Sequence, residues 1–346
     1  MPLNGVGVGP CYKCQQIVMF MKNFFLTVLA SLSVHAWAID PKLFADQQTE
    51  SLTVKVVIPV PNKPETLSLR PLLVKPSSPP PWSSIVLPSN CSGLDDRMWH
   101  FWVKELVSKN IAVVLLDSFN PRGFSSLCQN QFLLTIGARL QDVHQVLDSL
   151  RQDARFIPNK IALGGHSTGA STAYQSAYTE ILSLLNRPSE SGYNAFVAAA
   201  PACSLISKSK KLSGPILYIG GEKDDWTPVA PCVKELELTK SQGQSVQIKI
   251  VPNAYHTFST HSVTFSSRVM KAPDDAPQGY IRTLSYLPKE TLVELPGGEV
   301  LKLDDLIRKY AGFLGSKLFG ATVGGQWDQA PVVANWTADF LKENGW

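Results

Sequence analysis

Short apolar runs alternate with helix-like segments through the middle of the chain, and this alternation limits the fold more than any other feature of the sequence. The segments between the runs carry apolar residues at helical spacing. The apolar runs cover residues 85–87, 111–116, 161–163, 196–200, 216–219 and 246–251, and the helix-like segments cover residues 97–109, 133–152, 171–185 and 228–242. Strands that alternate with helices form a mostly parallel sheet with helices on both faces, so the sequence predicts the α/β class.

Elements of a different kind flank this alternating region. Residues 52–58 and 66–74 predict two opening strands that pair in antiparallel fashion. After residue 256 the alternation stops, and residues 259–325 are predicted to form an insertion with a hairpin over 291–301 and a helix near 303–313. An amphipathic helix over about 330–342 closes the chain. The hairpin would either fold over a functional site as a lid or decorate the periphery, and the sequence leaves both readings open.

The first 38 residues have the pattern of an N-terminal extension followed by a secretory signal peptide. Lys22 precedes an apolar run over residues 24–34, and Ala36-Trp37-Ala38 supplies the small residues of a cleavage site. The run is too short to span a bilayer. We therefore expect residues 39–346 to form a single mature domain that is exported, either periplasmic or secreted, and that has no stable membrane anchor after cleavage.

Four cysteines follow the predicted cleavage site: Cys91, Cys128, Cys203 and Cys232. An exported chain can oxidise an even number of cysteines to disulfides. The positions of these residues relative to the predicted strands favour the pairs Cys91–Cys128 and Cys203–Cys232. The two other connectivities, and four buried thiols that merely pack, stay open.

Ser167 lies in the pentapeptide Gly-His-Ser-Thr-Gly, directly after an apolar run and before a helix-like segment. A serine in this context is a candidate nucleophile, because a sharp strand-to-helix turn exposes its hydroxyl to a base and to backbone N–H groups. Gly165 and Gly169 flank it where strand and helix close tightly. His166, its neighbour, is expected to pack or to form a hydrogen bond.

An acid and a histidine follow the next strands at the same edge of the predicted sheet. Asp224 comes after the run 216–219, with Asp225 as the reserve acid, and His256 comes after the run 246–251. The order Ser167, Asp224, His256 is that of α/β-hydrolase triads. His256 would accept the serine proton, and the acid would orient the imidazole. The alternatives are a helix-capping role for the acids, an ordinary loop histidine at 256, and His261 as the base.

Backbone N–H groups next to the nucleophile are expected to form an oxyanion hole. The first is that of Thr168, and the second is that of Cys91, with Ser92 as the alternative. A disulfide from Cys91 would stiffen this loop. Trp226 is the candidate for lining the substrate pocket. Arg122 is expected to brace its loop by pairing with an acid, with a substrate carboxylate as the alternative partner.

At this point the chain resembles the dienelactone hydrolase family of α/β-hydrolases over about residues 81–257, and more weakly over 324–346. The likeness rests on Cys91-Ser92-Gly93, residues 117–123, Gly-His-Ser-Thr-Gly, the acid loop ending at Pro228, and residues 255–258. It implies an α/β-hydrolase fold with a mostly parallel sheet of the eight-stranded type, and hydrolysis of esters and lactones by a triad without a cofactor. Two positions depart from the family. The founding members carry a cysteine nucleophile, and many relatives have His-Gly where this chain has Ser89-Asn90.

These features together predict an exported serine hydrolase that cleaves a small carboxylic ester or lactone through an acyl-enzyme on Ser167. Hydrolysis of an amide or thioester, acyl transfer, and a catalytically silent binding protein of the same fold are the alternatives. We expect neither a cofactor nor a metal. The formal net charge of +4 gives no indication of nucleic acid as a partner. The oligomeric state is not predicted.

Overall fold

The computed structural model describes residue 44 and residues 46–58, 65–94, 97–131, 133–258, 263–271, 278–286, 290–314, 319–324 and 329–346. The predicted signal peptide and His261 lie outside these residues. The strands are β1 Gln48–Ser51, β2 Val54–Ile58, β3 Glu65–Leu69, β4 Leu72–Lys75, β5 Trp82–Pro88, β6 Ile111–Leu116, β7 Phe156–His166, β8 Ala195–Ala199, β9 Leu205–Ile206, β10 Ile216–Gly221, β11 Val246–Val251, β12 Thr264–Met270, β13 Gly279–Thr283, β14 Leu292–Glu294, β15 Val300–Lys302 and β16 Phe319–Val323. The helices are α1 Arg97–Ser108, α2 Ile136–Gln152, α3 Thr168–Ser176, α4 Thr179–Leu184, α5 Val229–Ser241, α6 Leu303–Leu314 and α7 Gln329–Glu343.

The main sheet has eight strands in the order β1-β4-β6-β5-β7-β8-β10-β11. The last six strands of this order, β6-β5-β7-β8-β10-β11, pair in parallel. Strands β4 and β1 extend the β6 edge in antiparallel fashion. Helices form most of the connections between the parallel strands, because a parallel pair needs a long crossover. This is the mostly parallel eight-stranded sheet of the α/β-hydrolase fold, as the sequence predicted.

Apolar clusters cover both faces of this sheet. Neighbouring residues of one strand belong to opposite clusters: Val113 packs on one face and Val114 on the other. Helix α2 covers the face of Val114, and helices α1 and α7 cover the face of Val113. Burial on both faces explains why the central strands are apolar at nearly every position.

Two sequence boundaries differ from the structure. The predicted strand over 66–74 is two strands, because Pro71 has no N–H to continue a ladder. Strand β3 pairs with β2 in a separate antiparallel ribbon, while β4 joins the main sheet. The predicted helix over 171–185 is likewise two helices, α3 and α4.

Strands after β11 form two small sheets of their own. The predicted hairpin is β14 and β15, and it continues through β13 to β9. Strands β12 and β16 pair antiparallel as a separate ribbon, which we call the β12–β16 ribbon. The sequence did not predict this ribbon, because its strands are weakly alternating and far apart in the chain.

Two disulfides join Cys91 to Cys128 and Cys203 to Cys232, with Cα–Cα distances of 4.8 and 5.2 Å. These are the favoured pairs. Disulfides persist in oxidising compartments, so they indicate an exported protein. No helix in the described ranges is long and apolar enough to cross a bilayer.

Candidate active site

Ser167 lies at the turn between strand β7 and helix α3, in a backbone conformation that residues other than glycine rarely adopt. Its φ and ψ are 56° and −119°, and its N–H donates to the carbonyl of Ala199 at 2.9 Å. A Cβ at Gly165 would lie 2.5 Å from the carbonyl carbon of Gly169, and a Cβ at Gly169 would lie 2.3 Å from the carbonyl oxygen of Pro88. Only glycine fits at both positions. The turn therefore has the geometry of a nucleophile elbow.

His256 lies between Ser167 and Asp224 and contacts both. The Ser167 hydroxyl donates to His256 Nε2 across 2.9 Å, and His256 Nδ1 donates to Asp224 Oδ2 across 2.9 Å. All three side chains are buried. The structure thus brings the three predicted residues into one hydrogen-bonded chain, although each comes from a different loop.

The Asp224 carboxylate is held in place by the turn that follows it. Its Oδ1 accepts the N–H groups of Trp226 and Thr227, each at 2.9 Å, and the Thr227 hydroxyl lies 2.9 Å from Oδ2 and 3.0 Å from His256 Nδ1. Burial alone would raise the pKa of Asp224. The imidazole of His256 and the hydrogen bonds from His256 and Thr227 outweigh burial and lower that pKa below its ordinary value. Asp224 is therefore ionised and oriented toward the imidazole.

Thr227 was not predicted as a site residue. It follows Asp224 by three positions in the chain, which is the spacing at which an aspartate side chain accepts backbone N–H groups in a turn. That spacing is the sequence signal that could have found it.

Asp225, the reserve acid, points elsewhere. Its Oδ1 accepts the N–H of Thr322 at 2.7 Å, and its Oδ2 accepts the Thr322 hydroxyl at 3.0 Å. Thr322 belongs to strand β16, so Asp225 fastens the β12–β16 ribbon to the acid loop. The two adjacent acids thus have different partners.

His166 supports the loop that carries His256. Its Nε2 donates to the backbone carbonyl of His256 at 2.8 Å, and the two rings lie 4.9 Å apart between centroids. The ring also meets Phe258 edge-on at 5.9 Å. This is the packing and hydrogen-bonding role expected from the sequence.

The loop after β5 packs against the first turn of helix α3, beside the elbow. The contact of Gly169 with the Pro88 carbonyl places the start of this loop there. Cys91 is tied down twice, by its disulfide to Cys128 and by its carbonyl, which accepts the N–H of Leu127 at 2.7 Å. The N–H of Ser92 donates to Asn90 Oδ1 at 2.9 Å. The Ser92 N–H, which was the alternative to the Cys91 N–H as the second oxyanion donor, is therefore already bonded to Asn90.

Trp226 is buried against the imidazole of His256, with 4.5 Å between ring centroids. Its Nε1 donates to the carbonyl of Met270 on β12 at 2.7 Å. The indole thus joins the imidazole of His256 to the β12–β16 ribbon. A role in lining the substrate pocket stays a prediction.

The β12–β16 ribbon, together with Gly324 directly after it, contacts the loops that carry Asp224 and His256 and the segment that carries Cys128. Thr322 bonds Asp225 and Met270 accepts from Trp226, as described above. In addition, Met270 donates its N–H to the carbonyl of Cys128 at 2.9 Å, and Gly324 donates its N–H to the Thr257 hydroxyl at 2.8 Å. Within the described parts of residues 259–325, these contacts come from the ribbon and from Gly324, whereas the β14–β15 hairpin is linked through β13 to β9.

Arg122 pairs with an acid, as expected. Its two terminal nitrogens each donate to Asp142 at 2.8 Å, and its guanidinium lies over the ring of Tyr286. Burial raises the pKa of Asp142, and Arg122 opposes that rise. In the described ranges no cluster of His, Cys, Asp and Glu side chains has the arrangement of a metal site.

Comparison with known proteins agrees with this architecture. Residues 125–287 match the dienelactone hydrolase family, a range that includes Ser167, Asp224 and His256. No curated protein sequence matches the chain.

Several solved structures are similar to this chain. A protein from Klebsiella pneumoniae assigned as a dienelactone hydrolase is 12% identical over 60% of this chain and 88% of its own, with a TM-score of 0.43. A thermophilic esterase from Thermogutta terrifontis is 16% identical over 60% of this chain and 82% of its own, with a TM-score of 0.46. Est1E from Butyrivibrio proteoclasticus is 13% identical over 59% of this chain and 90% of its own, with a TM-score of 0.41. Residues 125–287 therefore match a dienelactone hydrolase family domain, and they lie within the α/β-hydrolase sheet described above.

Proposed function

We propose that the protein is an exported serine hydrolase that cleaves a carboxylic ester or lactone through an acyl-enzyme on Ser167. The observation that carries this proposal is the chain of two 2.9 Å hydrogen bonds from Ser167 through His256 to Asp224. A serine hydroxyl is a weak nucleophile at neutral pH and needs an adjacent base. The buried, ionised Asp224 provides the counter-charge for the imidazolium that forms as His256 accepts the proton.

In the first half of the reaction the Ser167 oxygen attacks the carbonyl carbon while its proton passes to His256 Nε2. His256 then protonates the leaving alkoxide oxygen as the ester C–O bond breaks. In the second half, water attacks the acyl carbon and gives a proton to His256. His256 then returns that proton to the Ser167 oxygen as the acyl C–O bond breaks, which releases the carboxylic acid and the free serine. Every step uses groups of the chain and water.

The negative charge on the carbonyl oxygen would be met by the N–H groups of Thr168 and Cys91. Thr168 is the first residue of helix α3, so its N–H has no acceptor within the helix, and the helix N-terminus favours negative charge there. The bond from Ser92 N–H to Asn90 supports Cys91 over Ser92 as the second donor. It also gives Asn90 a structural role at one of the positions that depart from the family.

The proposal includes the cellular location and the limits of the domain. Residues 1–38 would direct export to the periplasm or beyond and be removed, which leaves residues 39–346 as one domain. The two disulfides support this part of the proposal.

Hydrolysis of p-nitrophenyl esters of increasing acyl length tests the activity and its chain-length preference. S167A and H256A are expected to lower kcat by about 10⁴-fold or more. S183A, a change of an exposed serine on α4, is the control and should leave kcat unchanged. A matched thioester and anilide in the same panel separate ester from thioester and amide hydrolysis. Turnover that persists in H256A would overturn the triad.

A further inference from the structure

Arg139 is a buried cation beside the elbow that the mechanism above does not use. It lies on helix α2, and its Nη1 donates to the carbonyl oxygen of Thr168 at 2.8 Å. Thr168 directly follows the nucleophile and carries the proposed oxyanion donor. The guanidinium therefore contacts the peptide unit next to that donor.

Arg139 differs from Arg122, a partly buried arginine of this region, in having no acidic partner. Arg122 forms two bonds to Asp142, whereas Arg139 is bonded to a neutral carbonyl and no carboxylate among the described residues contacts it. Burial lowers the pKa of Arg139 to about 10, so the side chain stays charged at neutral pH. An unpaired charge is costly to bury, and such groups are common at functional sites.

The position of this charge suits the reaction. The guanidinium lies about 3 Å from the Thr168 carbonyl oxygen, which lies about 3 Å from the N–H of the same residue, and an oxyanion bound to that N–H would lie about 3 Å further on. The guanidinium charge is therefore within about 9 Å of the developing negative charge. At an effective dielectric constant of about 20, a unit charge at that distance changes a rate by about twentyfold. A neutral hydrogen-bond donor would supply the contact without this field.

We propose that Arg139 is a positioning residue that fixes the first peptide unit of helix α3 and stabilises the oxyanion through its buried charge. This inference rests on the proposed hydrolase function. The side chain does not touch the substrate. It acts through the Thr168 peptide unit and through its electric field.

Replacement by methionine, glutamine and lysine separates charge from packing. R139M and R139Q remove the charge, and R139K keeps it. The Thr168 carbonyl also accepts the hydroxyl of Thr172 at 3.0 Å, and we expect each variant to keep that bond. Because burying an unpaired charge costs free energy that an apolar side chain of similar length does not, R139M is expected to fold with a Tm no lower than that of the wild type. R151Q is the matched control, since Arg151 lies on the same helix and also donates to backbone carbonyls, those of Ser191 and Gly192 at 2.8 and 2.7 Å.

The expected result is a fall in kcat of about tenfold to twentyfold in R139M and R139Q, with KM changed less than about twofold and the Ki of a boronic acid inhibitor raised by a similar factor to the loss in kcat. R139K should stay within about threefold of the wild type, and R151Q should lose stability but not kcat. Equal losses of kcat in R139K and R139M, unchanged kcat in both neutral variants, or failure of R139M to fold would each overturn the role of the charge. If the wild type itself hydrolyses no ester and forms no adduct on Ser167, the proposed function fails instead.

Discussion

Replacement of Gly169 by alanine is expected to destabilise the protein and slow hydrolysis, although alanine is the better helix former. Gly169 lies in the first turn of helix α3, where alanine would gain about 1 kcal/mol of helix propensity. Its Cβ, however, would lie 2.3 Å from the carbonyl oxygen of Pro88. Relief of this contact requires a shift of about 1 Å, because non-bonded heavy atoms rest at about 3.5 Å.

The shift cannot be absorbed by a flexible side chain, because both partners are backbone. Pro88 ends the central strand β5 and begins the loop that carries Cys91. Overpacking of this kind costs about 1–3 kcal/mol. After the propensity gain is subtracted, we expect a net loss of about 1 kcal/mol in the free energy of unfolding. A displacement of about 1 Å at a reacting centre can lower kcat by about 10²-fold.

Guanidinium unfolding curves and kcat on a p-nitrophenyl ester measure the two effects. The control is G243A, because Gly243 follows α5 with φ of 80° and has open space around it. Its alanine is strained by about 1 kcal/mol without a clash, and it lies at the end of the sheet away from the site. G243A should lose stability and keep kcat. A G169A protein that is more stable than the wild type and equally active would refute the elbow geometry.

Three further predictions concern Asp224, His144 and the disulfides. D224N should lower kcat by about 10⁴-fold, as loss of the orienting carboxylate does in triads. D225N should lower kcat less than tenfold, because Asp225 binds the β12–β16 ribbon. Equal losses of kcat in the two variants would contradict this division of roles. Burial, with smaller effects from Arg187 and Arg151, lowers the pKa of His144 from 6.5 to about 3. Between these values the unfolded chain binds a proton that the folded protein excludes, so stability falls as the pH drops below about 6.5, by about 2 kcal/mol at pH 5. Urea unfolding at pH 7.5 and pH 5 should therefore show a loss about 2 kcal/mol smaller in H144L than in the wild type, and equal losses would refute it. C91S/C128S and C203S/C232S should each lower the free energy of unfolding by about 2–4 kcal/mol. C91S/C128S should also lower kcat by about tenfold, because Cys91 lies in the proposed oxyanion loop. Similar kcat values for the two variants would argue against this role of the Cys91 loop.

The parts of the site that follow strands were predictable from the sequence, because parallel strands end at one edge of a sheet. Ser167, Asp224 and His256 each follow an apolar run, and the chain order alone suggested that they meet. The choice between Asp224 and Asp225 was not decidable in this way, since both follow the same strand. It depends on Thr322, nearly a hundred residues along the chain, which takes Asp225 as its partner.

Contacts between distant segments account for what the sequence did not reveal. The β12–β16 ribbon pairs Phe265 with Thr322 across a long connection, and neither strand has a strong pattern of its own. Arg139 stands on a helix that the sequence predicted, but only its burial beside Thr168 distinguishes it from a surface arginine. Pro71, by contrast, was a visible signal that the second opening strand would divide.

Covalent labelling by a fluorophosphonate, followed by mass spectrometry of the proteolysed protein, tests the central claim most directly. We expect one phosphonyl adduct, on Ser167, with no labelling of S167A and slow labelling of H256A, since the probe requires a serine activated by a base. S183A, S171A and the wild type should all carry the adduct on Ser167. Labelling of S167A at the rate of the wild type, or an unlabelled wild-type protein, would contradict the assignment of Ser167 as the nucleophile.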